Sequence, residues 1–280
     1  MKKLLIYILL ILTLGGCIKE YNIDDEYQQR LVVEGRIEEG NIPIVAISVN
    51  INNQKEYNRD NFSDMIVRWA KVTVIDDQGN KEILTGRVNK DYPTKFIYTG
   101  YELIGEAGRS YKLIVEYSNQ IWESTTTIPP SAKLENITVT HHKDSLYTIS
   151  AVIPPISTPC SIDCSLNGSK YYAPTIFGIY DASTEYRHIT INCPLENINR
   201  NNYITYYSSS NIVKLRFNTL DSFGYNYWSE WENNVLNSVN PIFTSTSNVP
   251  SNISNNGIGI WAGYGATYYT IGKILDYGLQ

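Results

Sequence analysis

The sequence predicts a mainly β fold: an N-terminal immunoglobulin-like β-sandwich over residues 31–128, then a second β-rich domain over 131–280 carrying one helix at about 222–238. Three observations predict it. Short runs of β-branched and aromatic residues alternate with polar ones and are punctuated by Gly, Asn, Asp and Pro. Tyrosine, a good strand former, occurs 23 times and often as doublets, which in a strand put one ring inside and one outside. Only one stretch has apolar residues at helical spacing.

Ahead of the first strand, Lys2 and Lys3 precede an almost wholly apolar run from 4 to 14, and Leu14-Gly15-Gly16-Cys17 follows. That run is too short for a hydrocarbon core about 30 Å thick, so residues 1–16 read as a signal peptide cleaved before Cys17. A diacylglycerol on the Cys17 thiol then ties the mature chain to a membrane, each buried acyl carbon contributing about 0.8 kcal/mol. Residues 17–30, with Lys19, Glu20, Asp24, Asp25, Glu26 and Arg30, carry too few apolar groups to bury and form a tether.

Strands are expected at 31–37, 44–50, 67–75, 81–87, 96–99, 111–117 and 121–128. In the sixth, Tyr111, Leu113, Val115 and Tyr117 share the core face, with Lys112 and Glu116 opposite. Residues 76–80 form a hairpin turn in which Gly79 supplies a positive φ. Pro129-Pro130 removes two backbone donors and marks the domain boundary. Beyond it, strands are expected at 133–140, 146–153, 186–192, 203–207 and 212–218, the last with Val213, Leu215 and Phe217 buried and Lys214, Arg216 and Asn218 wet. Asp221 caps the helix, whose Trp228, Trp231 and Val235 form a stripe suited to packing on a sheet. Residues 258–264 and 266–271 close the fold as two strands. The glycines between 257 and 265 suit a bulged strand approached closely by another backbone or a large ring.

Without Lys2 and Lys3 the 23 basic residues become 21 against 28 acidic ones, a net charge of −7. No Lys/Arg cluster is available to displace phosphate counterions, so nucleic-acid partners are excluded. With Cys17 lipidated, three cysteines remain. An exported compartment favours a disulfide from Cys193 to Cys164, or to Cys160, worth about 3–4 kcal/mol in the chain-entropy model. A zinc site of these thiolates with His188 is the alternative, but the spacing lacks the usual two close pairs, and no metal is expected. The three histidines, the absence of a nucleophile elbow, zinc-protease helix or phosphate loop, and carboxylate pairs that are merely adjacent (Asp24/Asp25, Asp76/Asp77) predict no enzyme and no cofactor. Outward tyrosines suit sugar or peptide contacts, and Trp261 and Tyr264 are the candidate ligand-binding residues.

Leu31-Val32-Val33-Glu34-Gly35 after the cysteine and tether, Gly108-Arg109-Ser110-Tyr111-Lys112-Leu113, Thr127-Ile128-Pro129, Ser251-Asn252-Ile253 and Asn256-Gly257-Ile258-Gly259-Ile260-Trp261 occur in one order. In these the chain resembles the Bacteroidetes lipoproteins of domain of unknown function 4249, over nearly the whole mature chain. Trp261 and Ala262 stand where that family would have Phe and Gly. The resemblance implies an outer-membrane lipoprotein, often encoded beside a TonB-dependent receptor, with no established activity and no catalytic residues to carry over. Asp144-Ser145-Leu146 also looks like the short O-glycosylation signal of that phylum. The expectation is therefore a lipid-anchored, non-enzymatic binding or accessory component that captures a small-molecule, glycan or peptide nutrient beside such a receptor. An adhesion or envelope-structural lipoprotein is the alternative. A concave aromatic pocket favours the first and a flat apolar patch the second.

Overall fold

In Leu31–Glu38 (β1) the alternation sets the plan of the molecule: Leu31, Val33 and Ile37 are buried in a core on one face, while Glu34, Arg36 and Glu38 project from the other. The computed structural model describes residues 29–50, 62–142, 145–194, 206–239 and 249–273; the signal segment, Cys17 and the tether up to residue 28 lie outside these. The further strands are β2 (Ile44–Val49), β3 (Lys71–Asp76), β4 (Lys81–Ile83), β5 (Thr85–Val88), β6 (Phe96–Thr99), β7 (Ser110–Tyr117) and β8 (Gln120–Thr127). After Pro129-Pro130 come β9 (Glu135–His141), β10 (Leu146–Ile153), β11 (Cys160–Leu166), β12 (Ala173–Tyr180), β13 (Arg187–Ile191), β14 (Tyr207–Ser208) and β15 (Ile212–Thr219). The helix α1 (Ser222–Val239) and the strand β16 (Ile258–Lys273) complete the fold.

The fold is mainly β with two cores. One sheet of eight strands runs in the order β12-β11-β15-β16-β1-β2-β6-β5. A four-stranded sheet β4-β3-β7-β8 packs on its β1 end, enclosing Val33, Ile37, Val45, Ile47, Leu113 and Trp261. A second, built from β13, β10, β14 and β9, packs on its β15 end over Ile149, Ile162, Leu215 and Phe217. The two cores correspond to the two expected β-rich units, but residues 31–128 do not complete the first by themselves. Strand β16 pairs with β1 in parallel from Val32↔Ile258 to Glu38↔Tyr264, then with β15 antiparallel from Thr219↔Gly265 to Ile212↔Lys273. The two closing strands expected at 258–264 and 266–271 are thus one, and it serves both cores. The run expected at 81–87 is divided into β4 and β5, which join different sheets, with buried Leu84 between them.

Glycine makes the shared strand possible. At Gly259, φ is +113° and an added Cβ would stand 1.9 Å from the Val33 carbonyl oxygen. At Gly263 and Gly265 a Cβ would meet the carbonyl oxygens of Thr127 and Pro129 at 2.7 and 2.5 Å, so the chain leaving β8 crosses directly over β16. The close approach expected from the glycine pattern is made by backbone at these positions. At Gly35 it is made by a ring: the missing side chain leaves room for the Trp261 indole, 2.7 Å from where a Cβ would sit. The turn at 76–80 also forms, with Gly79 at φ +87° and Asp76 Oδ1 accepting from the backbone N–H groups of Gln78 and Asn80.

Trp261 is fully buried and its Nε1–H donates to the Tyr111 carbonyl at 2.9 Å, joining β16 to the opposite sheet. Trp261→Ala is expected to lower unfolding free energy by about 3–5 kcal/mol in urea titrations. Gly259→Ala is expected to lower it too, because the β1–β16 ladder has no room for a Cβ at that φ.

Candidate functional site

The outer face of the eight-stranded sheet is not a simple wet surface. Lys214, Arg216 and Asn218 on β15 were expected to face solvent, yet Arg216 is only 4% exposed and Asn218 only 1%. The correction comes from their neighbours: Arg216 is engaged by Glu38 and Asp163 under the Tyr172 ring, and Asn218 bonds Ser161 and Asp163. Alongside, α1 packs its Phe223, Tyr227 and Trp228 over Leu220 and over Ile260, Ala262 and Tyr264 of β16. Asp221 caps that helix as expected, accepting from the Gly224 N–H at 2.7 Å. Trp228 Nε1–H donates to the Tyr264 hydroxyl at 2.9 Å, and Trp231 stacks edge-on against Trp228 at 5.6 Å.

Beneath this cover lies a buried charge network across the central strands. Arg216 donates through Nη1 to Glu38 of β1 at 2.5 Å, and through Nε and Nη2 to Asp163 Oδ2 of β11 at 3.0 and 2.5 Å. Arg36 Nε lies 3.2 Å from Glu38 Oε1, and Arg36 Nη2 donates to the Tyr92 hydroxyl at 2.6 Å. The Tyr268 hydroxyl donates to the other Glu38 oxygen, and Asn218 Nδ2 donates to Asp163 at 2.8 Å. Burial pushes the Glu38 carboxyl up, but Arg216, Arg36 and the Tyr268 hydroxyl outweigh it and hold the group below its ordinary value of 4.5. Burial works to lower the Arg216 pKa, but Glu38 and Asp163 overcome it and keep the guanidinium firmly charged.

Beside the network a narrow cleft opens, mostly mouth, with an enclosed volume of about 30 Å³. Its charged lining is Glu34, Arg36, Asp163 and Arg216; its aromatic lining is Tyr92, Tyr171, Tyr172, Trp228 and Tyr264. Tyr92 and Tyr171 meet edge to face at 5.1 Å, and the Arg216 guanidinium lies 5.3 Å over the Tyr172 ring. Solvent reaches Glu34 through the cleft although protein surrounds it. The resulting desolvation raises its carboxyl above 4.5, with Arg36 and Arg216 offsetting part of the rise and Asp163 adding to it.

Of the two candidate ligand residues, Tyr264 lines the cleft and Trp261 does not. The indole points into the first core because residues three apart in a strand face opposite sides. Sequence reasoning missed Glu34, Arg36, Glu38, Asp163 and Arg216. The signal available was the run of charges at every second position of β1, and the Tyr171-Tyr172 doublet, which lies in the β11–β12 connection with both rings at the cleft. The other doublets divide as expected: Tyr207 is buried beside exposed Tyr206, and Tyr269 packs on the second core beside Tyr268.

Neither expected disulfide is formed. Cys160, Cys164 and Cys193 are buried free thiols, all three in the second core. The Cys193 thiol donates instead to the Tyr206 carbonyl at 3.0 Å. Burial pushes the Cys160 and Cys193 thiols up to about 12, and Cys164 higher still, which suppresses the thiolate that disulfide exchange requires. Among the described residues no group of three or more His, Cys, Asp or Glu could hold a metal ion. No helix there is long and apolar enough to cross a membrane. Asp76 is 2.8 Å from Arg109 Nη2, and that same nitrogen donates to Asp77 Oδ1 at 2.8 Å, so both acids brace a turn. Asp24 and Asp25 lie outside the described residues, as does Asp144 of the expected glycosylation signal.

Fold and cleft together define a class: two β-sandwich cores on one continuous sheet, with a charged, tyrosine-walled cleft under a single helix. The chain belongs to the family described as domain of unknown function (DUF4249), whose profile matches residues 18–270. No curated protein matches it.

Glu38→Gln leaves Arg216 with one full counter-charge fewer in a buried site, and is expected to cost about 3–5 kcal/mol at neutral pH. Because the Glu38 carboxyl is lowered in the folded state, its contribution is complete above its unfolded value near 4.5 and is lost as pH falls through the folded value. The gap between wild type and variant, measured by denaturant titration at several pH values, should therefore narrow below about 4.5.

Proposed function

We propose that this chain is a lipoprotein held at the outer membrane through Cys17, acting by binding rather than catalysis as the capture or accessory component of a TonB-dependent receptor. The observation that carries the binding part is the cleft. It is concave and walled by tyrosine and tryptophan, and its charged residues are preorganised by the sheet. Its carboxyls are not arranged as an acid/base pair: Glu38 and Asp163 are engaged by Arg216, which leaves Glu34 as the single uncommitted acid. The anchoring part is supported by the signal core, the Leu14-Gly15-Gly16-Cys17 sequence and the charged tether. The receptor and the phylum are supported by the family resemblance. A captor tethered beside a transporter raises the local ligand concentration without new contacts.

Cys17→Ala is expected to move the protein from the membrane to the soluble fraction. Mild crosslinking on intact cells, followed by purification, is expected to recover an outer-membrane transporter with the wild-type chain. Recovery of no transporter, together with unchanged nutrient uptake in a deletion strain, would overturn the reading.

A further inference from the structure

The cleft has one charge left over. Glu38 and Asp163 take up both guanidiniums, Arg36 and Arg216, whereas Glu34 has neither a hydrogen bond nor an ion pair among the described residues. Its position explains why: on β1, between Ile260 of β16 and Ala46 of β2, it has apolar neighbours on both sides and opens into the cleft. Tyr92, Tyr171 and Trp228 line the same space, and Tyr227 of α1 stands close enough to feel the Glu34 charge.

Resting on the capture reading above, we propose that the cleft takes a small organic cation, an ammonium headgroup, with Glu34 as its counter-ion and the aromatic rings as its walls. Two guanidiniums against three carboxyls leave the network one positive charge short, and a monocation completes it. Ring faces carry the negative side of the aromatic quadrupole, so tyrosine and tryptophan walls attract the same headgroup. An anion would meet Glu34 directly, and a neutral ligand would leave the carboxylate uncompensated in a partly desolvated site. The narrowness of the cleft favours a headgroup over an extended chain.

The groups facing Glu34 are Arg36 on its own strand, Arg216 on β15, Asp163 on β11, Tyr92 and Tyr171 from the two covering loops, and Tyr227 on α1. Burial raises the Glu34 carboxyl, so binding should weaken as pH falls through that raised value, while the two arginines stay charged.

The test is calorimetric titration of the full chain in detergent with choline and with tetramethylammonium, alongside glucose and acetate at matched ionic strength. Both cations are expected to bind. Glu34→Gln is expected to lower their affinity about ten-fold or more, the loss that follows removal of a charged contact. The same variant should keep a Tm at neutral pH equal to or above wild type, which separates lost binding from lost folding. Tyr171→Leu should weaken choline binding several-fold by removing a ring. Failure of both cations to bind the wild type, or equal binding by Glu34→Gln, overturns the proposal. Glucose binding without cation binding overturns the ammonium inference and leaves the capture reading standing. Failure of every probe combined with failure to recover a transporter brings down both.

Discussion

One strand, β16, has to satisfy three environments at once, and the rest of the molecule follows from how it does so. Its odd-numbered residues point inward, Trp261 to the first core and Tyr269 and Ile271 to the second. Its even-numbered residues, Ile260, Ala262, Tyr264 and Tyr268, point to the helix and the cleft. A strand period of two permits this because the pleat stays in phase from Ile260 to Thr270, before the register against β15 shifts by one residue at Ile271. Glycine at 263 and 265 helps by letting neighbouring backbone pass without displacing the strand. The two halves therefore cannot separate as independent beads: a sheet ladder joins them.

The charge network is the polar counterpart of that ladder. Arg216 belongs to the second half and Glu38 to the first, and their contact spans the width of β16. A buried pair of this kind adds little net stability compared with an apolar replacement, because desolvation nearly cancels the attraction. What it supplies is a defined arrangement. With Glu38 shared by Arg36, Arg216 and the Tyr268 hydroxyl, the guanidiniums are fixed before anything enters the cleft. Glu34, four residues before Glu38 on the same strand, is left unneutralised by that geometry. The helix above closes the site from solvent on one side while Trp228 and Tyr264 bond to each other rather than fill the opening.

Much of the fold was legible because the alternation is strong where one face of a strand packs and the other does not. Tyr111, Leu113 and Val115 on β7 and Val213, Leu215 and Phe217 on β15 are buried as the pattern requires. The helix, its Asp221 cap and its packing tryptophans were also readable, since capping and 3.6-residue spacing are local properties. Strands β11 and β12 were not foreseen. Cys160-Ser161-Ile162-Asp163-Cys164 alternates apolar and polar residues, and its polar face, with Ser161 and Asp163 almost fully buried, mimics a surface strand until Arg216 and Asn218 are placed beside it. The site was opaque for the same reason. Charges on one face of a strand normally mean water, and only a covering element elsewhere in the chain turns that face into an interior.

The sequence by itself determined the β class, the two β-rich units and the helix, because each rests on periodicity or composition within a short window. Tertiary structure alone decided that β16 belongs to both cores, that Trp261 is inside while Tyr264 lines a cleft, and that Glu38, Asp163 and Arg216 meet. The contacts of Arg216 with Asp163 and Glu38 join residues 53 and 178 positions apart, and β16 pairs with β1 across more than 200. No local pattern encodes them, since the energy that selects them arises only when separate strands share one sheet and one desolvated face.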